Sequence, residues 1–188
     1  MLKILEETEA LLTGHFLLTS GKHSDRYIQC AKVLQYPEHT AVLSKGMAEP
    51  FQGKGISCVV GPAMGGIIVA YEVARQLGAR ALFTERENGK MTLRRGFTLA
   101  KGEKVLVVED VITTGGSVKE VVQLVQELGA EVVGVTCIVQ RGTEVDLGVP
   151  LVPLLSLSIA AYEPGDCPWC RQGIPAVKPG SRNLQAGR

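Results

Sequence analysis

Val105-Leu106-Val107-Val108-Glu109-Asp110-Val111-Ile112-Thr113-Thr114-Gly115-Gly116-Ser117 decides the fold. Four apolar residues run into two adjacent carboxylates, a short loop of Thr, Gly and Ser follows, and from Val118 the pattern reads as a helix. The apolar run suits a strand buried on both faces of a parallel sheet. The carboxyl ends of such strands are where open α/β sheets bind ligands. A Thr/Gly/Ser loop at a helix start leaves backbone N–H groups free for a phosphate. The two acids repel a phosphate, so they face something else, such as sugar hydroxyls or a bound Mg²⁺. The plainer alternative is a strand–turn–helix corner with Ser117 as a helix cap.

Outward from this segment the chain alternates strands and helices. Ile4, Leu5, Thr8, Leu11 and Leu12 fall on one face of an opening amphipathic helix. Residues 13–24 read as a loop and 26–31 as a strand. Residues 38–52 read as a helix, 56–60 as a strand, and 67–77 as a helix stopped by Gly78. Strand 80–84 precedes a polar, basic loop over 85–103, long enough to be functional or mobile. After the central strand come a helix over 118–128, a strand over 131–139 and a last strand over 151–157. This order implies an α/β fold, a mostly parallel sheet flanked by helices. No repeat or linker divides residues 1–188, so a single domain is expected.

Composition bounds the function. A chain of 188 residues can bury roughly 70% of its unfolded surface. With 45% hydrophobic and 21% charged residues and a net charge of +1, nothing argues for nucleic acid or a membrane surface. The first residues lack a signal-peptide core and no apolar run approaches the ~18 residues of a membrane span. A soluble cytoplasmic protein is the expectation. Five cysteines make no even disulfide set, and Cys58 and Cys137 read as small core residues.

Three other places carry candidate chemistry. Gly61-Pro62-Ala63-Met64-Gly65-Gly66 follows a strand and opens a helix, so it offers a second oxyanion loop or a plain turn. Arg86, Lys90, Arg94 and Arg95 stand among Glu85 and Glu87, either as a solvated charged turn or as cations for an anionic ligand. Cys167-Pro168-Trp169-Cys170 is a lone Cys-x-x-Cys, half of a tetrahedral zinc site. Two copies across a dimer would pool four thiolates, but a packed turn is the reading taken. His15, His23 and His39 show no metal-ligand spacing, and His23 alone stays of interest.

The acid pair followed by Thr113-Thr114-Gly115-Gly116-Ser117 resembles the signature of the phosphoribosyltransferases that use phosphoribosyl diphosphate (PRPP). His15-Phe16-Leu17-Leu18-Thr19-Ser20-Gly21-Lys22-His23-Ser24 is similar to the amino-terminal hood of the orotate branch, and Arg141 matches that branch's orotate-binding arginine. The resemblance covers roughly residues 13–160. It implies the type I phosphoribosyltransferase fold, with a small hood built from about residues 1–35 and the C-terminal segment. It also implies transfer of the 5-phosphoribosyl group from PRPP to orotate, giving orotidine 5′-monophosphate and diphosphate in pyrimidine (UMP) biosynthesis.

The resemblance further implies the roles. Glu109 and Asp110 hold the ribose hydroxyls, and Val111, Ile112 and Thr113 to Ser117 cradle the 5-phosphate. Ala63, Met64 and Gly65 belong to the diphosphate loop. Thr113, Arg141, Phe16 and Lys22 meet orotate. Asp110, Glu109, Arg86 and Lys90 are the catalytic candidates. Mg²⁺ is expected as cofactor, held mainly through PRPP, with no confident protein ligand. A homodimer is implied, with a mobile loop over 85–103 reaching the partner's site, and neither nucleic acid nor membrane as partner. Two departures stand out. Better-known bacterial members carry lysines where this chain has Thr19 and Gly65, and a loop histidine that residues 84–103 lack. A phosphoribosyltransferase for another base keeps the same signature without needing Arg141. A PRPP-binding regulator would need a nucleic-acid surface that the charge does not supply.

Overall fold

A computed structural model describes residues 1–18, 20–142 and 145–179. Among these, a six-stranded sheet has the order β5-β4-β3-β6-β7-β8. The strands are β3 (Cys58–Pro62), β4 (Arg80–Glu87), β5 (Lys90–Leu93), β6 (Lys104–Ile112), β7 (Glu131–Arg141) and β8 (Leu151–Leu157). All pairs are parallel except β4 with β5. A two-stranded antiparallel hairpin, β1 (Leu11–Leu17) with β2 (His23–Ile28), stands apart from the sheet.

The central strand is buried on both faces, and its residues alternate between two cores. Leu106 and Val108 pack with Val59 and Ile138 on one side. Val105 and Val107 pack with Cys58, Val60 and Cys137 on the other. Helices α3 (Pro37–Ala48) and α4 (Gly65–Leu77) cover the first face. Helix α5 (Gly116–Glu127) covers the second with Val118, Val121, Val122 and Val125, a 3.6-residue stripe. Gly78 ends α4 in the left-handed conformation, with φ 65°. Short helices α1 (Leu2–Glu7), α2 (Ala31–Leu34) and α6 (Pro168–Arg171) and two 3₁₀ turns, Glu49–Phe51 and Pro164–Asp166, complete the elements among the described residues. None of these helices is long and apolar enough to cross a membrane.

Two expectations are corrected. The opening helix stops at Glu7, Thr8 caps it through its hydroxyl to the Ile4 carbonyl at 2.7 Å, and Glu9 turns the chain at φ 54°. Leu11 and Leu12 therefore leave the helix and pair with Ile28 and Tyr27, so residues read partly as helix and partly as loop form β1. The long loop expected over 85–103 begins instead as a hairpin: β4 runs on to Glu87 and returns as β5 through Asn88-Gly89, both at positive φ. Asn-Gly is a two-residue turn that matches the strand twist.

The hood is laced to the C-terminal segment. The Leu17 N–H donates to the Val177 carbonyl and the Val177 N–H to the His15 carbonyl, each at 2.8 Å. His23 and Tyr162 exchange a backbone pair at 2.8 Å, and the Ser24 hydroxyl donates to the Ala160 carbonyl. Strand β1 thus has a neighbour on both edges, β2 and the segment at Val177.

Candidate active site

The site lies at the carboxyl ends of β3, β6 and β7, where the chain leaves the sheet for its helices. From β6 the backbone passes Ile112 into a loop that wraps a cavity of about 270 Å³, lined by Glu109, residues 111–118, Arg86 and Glu120. Gly115 sits at φ 76°, and a Cβ there would collide with Val145. The loop therefore closes tightly enough to aim its amides only with glycine at this place. At the start of α5 the first-turn N–H groups have no partner within the helix and are available to an anion.

Glu109 is buried beneath this cavity, and Asp110 is half-buried beside it. Burial first, then the adjacent Asp110 charge, pushes the Glu109 carboxyl up to about 9. Its Oε1 accepts the Asp110 N–H at 3.1 Å, and Asp110 Oδ1 accepts the Val111 N–H at 2.8 Å. The Asp110 carboxylate reaches across to the second loop, against Gly65 at the start of α4. In that loop the Ala63–Met64 peptide is cis, the Ala63 N–H donates to the Thr84 carbonyl at 2.8 Å, and Met64 is exposed. Gly61 and Gly66 touch backbone to backbone, with a Cβ on Gly66 falling 3.1 Å from the Gly61 carbonyl carbon. The acid pair therefore stands between two glycine-lined helix starts.

A second cavity, about 210 Å³, opens on the other side of the first loop. Leu18, Thr113, Thr114, Arg141, Gly142, Ile159 and Ala161 line it. Arg141 ends β7 half-buried, and desolvation lowers its affinity for a proton, with the Tyr27 phenol acting in the opposite direction. Thr113 and Thr114 line both cavities, so the two adjoin.

A family model described as a phosphoribosyl transferase domain matches residues 41–147. An orotate phosphoribosyltransferase of Caldanaerobacter subterraneus subsp. tengcongensis is 59% identical over 185 residues, 98% of this chain and 97% of that protein. The chain belongs to the orotate phosphoribosyltransferase family. The Thermotoga maritima orotate phosphoribosyltransferase is 58% identical, with 97% of this chain and 98% of that protein covered. The crystal structure of orotate phosphoribosyltransferase from Aeropyrum pernix superposes with a TM-score of 0.73 at 29% identity, covering 84% of this chain and 94% of that one. An adenine phosphoribosyltransferase from Thermoanaerobacter pseudethanolicus also superposes, with a TM-score of 0.62 at 17% identity over 70% of this chain and 88% of that one. The fold alone therefore does not choose the base.

Against the family's pattern, most of the expected residues converge and a few do not. Glu109 and the loop from Val111 to Ser117 form the first cavity with Arg86, whose guanidinium is held by Glu120 at 2.7 and 3.0 Å, and Asp110 stands beside it. Lys90 lies farther along the hairpin in a shallow groove with Met91, Glu120, Gln123, Leu124 and Glu127, away from the acid pair. Arg94 pairs with Glu87, and Arg95 with Glu85. Phe16 is buried against Tyr27, ring centroids 5.8 Å apart, and Leu18 rather than Phe16 lines the Arg141 cavity. Lys22 is at the surface, paired with Glu163 at 3.0 Å. Thr19 lies outside the described residues.

Sequence reasoning missed Leu18, Ile159 and Ala161 as cavity walls and Glu120 as the partner of Arg86. The Asn88-Gly89 turn was a usable signal for the hairpin that brings Arg86 to Glu120. The cavity walls had none, because they come from segments far apart in the chain.

Proposed function

We propose that the protein transfers the 5-phosphoribosyl group of PRPP to orotate, forming orotidine 5′-monophosphate and releasing diphosphate. One observation carries this reading: a phosphate-type loop and an arginine-bearing cavity share Thr113 and Thr114. A ligand with a phosphate at one end and a carboxylated ring at the other spans them.

In this reading the amides of Thr113 to Ser117 hold the 5-phosphate, and Glu109 and Asp110 take the ribose hydroxyls. Ala63, Met64 and Gly65 border the diphosphate. Arg141 meets the orotate carboxylate, since a guanidinium fork matches a carboxylate at two points. Leaving of diphosphate puts positive charge on the sugar, which the nearby Asp110 carboxylate stabilises. No protein nucleophile is required, and orientation of the two substrates supplies much of the rate.

The Asp110 oxygens face the diphosphate loop across Gly65, a hard-oxygen donor set that suits Mg²⁺ arriving with the diphosphate. Bound there, the ion would neutralise diphosphate charge. The reading includes a homodimer in which the 85–103 segment, through Lys90, reaches toward the partner's site, while Arg86 serves the cavity of its own chain. Five unlinked cysteines suit a reducing compartment, and the cytoplasm is the proposed location.

The test is to mix the purified protein with PRPP, Mg²⁺ and orotate and follow loss of orotate absorbance, with uracil, hypoxanthine and adenine in parallel. Consumption of orotate alone, dependent on PRPP, is expected. Turnover of another base in its place would remove Arg141 as a carboxylate reader.

A further inference from the structure

Behind the hood, far from the acid pair in sequence, four side chains with metal-binding atoms meet. His15, His23, Cys167 and Cys170 each direct one ligand atom to a common point, and these atoms all lie within 4.8 Å of one another. His15 Nε2 is 2.8 Å from His23 Nδ1 and 3.3 Å from Cys167 Sγ. Cys170 Sγ is 3.2 Å from His23 Nδ1 and 3.9 Å from His15 Nε2. Ligand atoms about 2.0–2.3 Å from a zinc ion stand roughly 3.3–3.8 Å apart at the corners of a tetrahedron. These four separations, 2.8–3.9 Å, straddle that spacing, and no pair of the ligand atoms is more than 4.8 Å apart.

The second layer of contacts points the same way. His15 Nδ1 lies 2.8 Å from the Ile174 carbonyl, which only accepts, so Nδ1 carries the hydrogen. Nε2 is left with a bare lone pair aimed into the cluster, the tautomer a metal requires, fixed by a backbone carbonyl as in many metal sites. Trp169 stacks on His15 with centroids 6.0 Å apart, and Tyr162 packs edge-on against Trp169. His15 and Cys167 are buried, and the two cysteines are not joined to each other. The backbone from Cys167 to Ile174 curls back on itself: Arg171, Gly173 and Ile174 N–H groups bond to Cys167, Cys170 and Trp169 carbonyls.

We propose that His15, His23, Cys167 and Cys170 bind one zinc ion tetrahedrally within a single chain. Two neutral imidazoles and two thiolates would balance the charge of the ion at this half-buried site, the cysteines releasing their protons on binding. All four positions are filled by protein, so the site is structural and leaves none open for water. It pins β1 and β2 to the C-terminal segment that follows Ile159 and Ala161, and so fixes the hood side of the Arg141 cavity. The structure corrects the expectation that His15 and His23 belong to no metal-ligand set, since both meet the Cys-x-x-Cys. The two missing ligands come from a hairpin 152 residues away along the chain.

The test starts from the untagged full chain, purified without added metal or chelator, with metal and protein quantified together. About one zinc per chain is expected; one per two chains would overturn the single-chain site in favour of thiolates pooled across a dimer. Metal-free protein titrated with Co²⁺ should develop the visible spectrum of a tetrahedral thiolate site. Cys170→Ser, at an exposed ligand, should remove part of its thiolate-to-metal absorption, while Lys22→Ala should leave it intact. Absence of metal together with a featureless cobalt titration would overturn the proposal. So would a Cys167–Cys170 disulfide, seen as an intact mass two hydrogens short and assigned to that pair by peptide mapping. None of these measurements needs turnover, so they stand whatever base the active site accepts.

Discussion

Gly65 presses its bare α-carbon against the Asp110 carboxylate: a Cβ at residue 65 would lie 2.5 Å from Asp110 Cγ. Any side chain here must displace the acid that faces the loop at the start of α4. Gly65→Ala should therefore lower kcat/KM for PRPP by about 10- to 100-fold, roughly 1.4–2.8 kcal/mol of transition-state stabilisation. The melting temperature should change little, because the displaced carboxylate is at a cleft and not in the core. Steady-state kinetics with thermal melts of the same preparation decide it.

Glu109 makes stability depend on pH in the direction opposite to a salt-bridged acid. Its unfolded form loses a proton near the ordinary 4.5, and its folded form near 9. Between these values the folded chain holds a proton that the unfolded chain has released, so this residue's contribution to stability falls as pH rises. It is level below about 4.5 and level again, at its lowest, above about 9. Glu109→Gln should remove that slope and raise the melting temperature at pH 8, by roughly 2–4 °C for each kcal/mol relieved. Melts across this pH range, wild type against variant, are the check; parallel curves would refute it.

Arg141 is expected to read the carboxylate of the base. Arg141→Ala should raise KM for orotate by roughly 10- to 100-fold, the worth of a charged hydrogen bond at about 1.5–3 kcal/mol. Arg141→Lys should recover only part, because an ammonium cannot make the two-point contact. PRPP binding, measured by calorimetry, should stay near wild type in both.

Lys90 lies away from the acid pair of its own chain, so its proposed place is the partner's site. Asp110→Asn should cut turnover by about 10²- to 10³-fold, in the range for losing one charge-stabilising group. Lys90→Ala chains should also be slow. Mixed dimers of the two variants should regain activity, since one of their two sites keeps both residues. Mixtures no faster than the average of the two parents would place Lys90 in its own chain's chemistry or in none.

The parts of the fold written locally were readable. Val105–Val108 announces a doubly buried strand because it has no polar face, and Gly78 and Gly129 mark where helices must stop. Leu11 and Leu12 misled because a helical stripe and a strand beginning differ little over so few residues, and Glu9 at positive φ breaks the pattern from within. Read as a loop, residues 13–24 hid the hairpin in which His23 pairs with Leu17, two residues from His15. The same misreading concealed that the two imidazoles stand 4.8 Å apart, centroid to centroid. The phosphate loop was legible for the opposite reason: its acids, threonines and glycines are contiguous. The Arg141 cavity draws its walls from the end of β1, the loop after β6 and the stretch after β8, and no local spacing records that meeting.

The pairing of Leu17 with Val177 sets an order on biosynthesis. Strand β1 leaves the ribosome before any strand of the six-stranded sheet, yet its second edge is supplied only after the whole of that sheet has been translated. The sheet and its phosphate loop are complete by Leu157, while the N-terminal hairpin still awaits its clasp. A nascent chain can thus finish its six-stranded sheet, with the Thr/Gly loop after β6, before the hood hairpin gains its second edge.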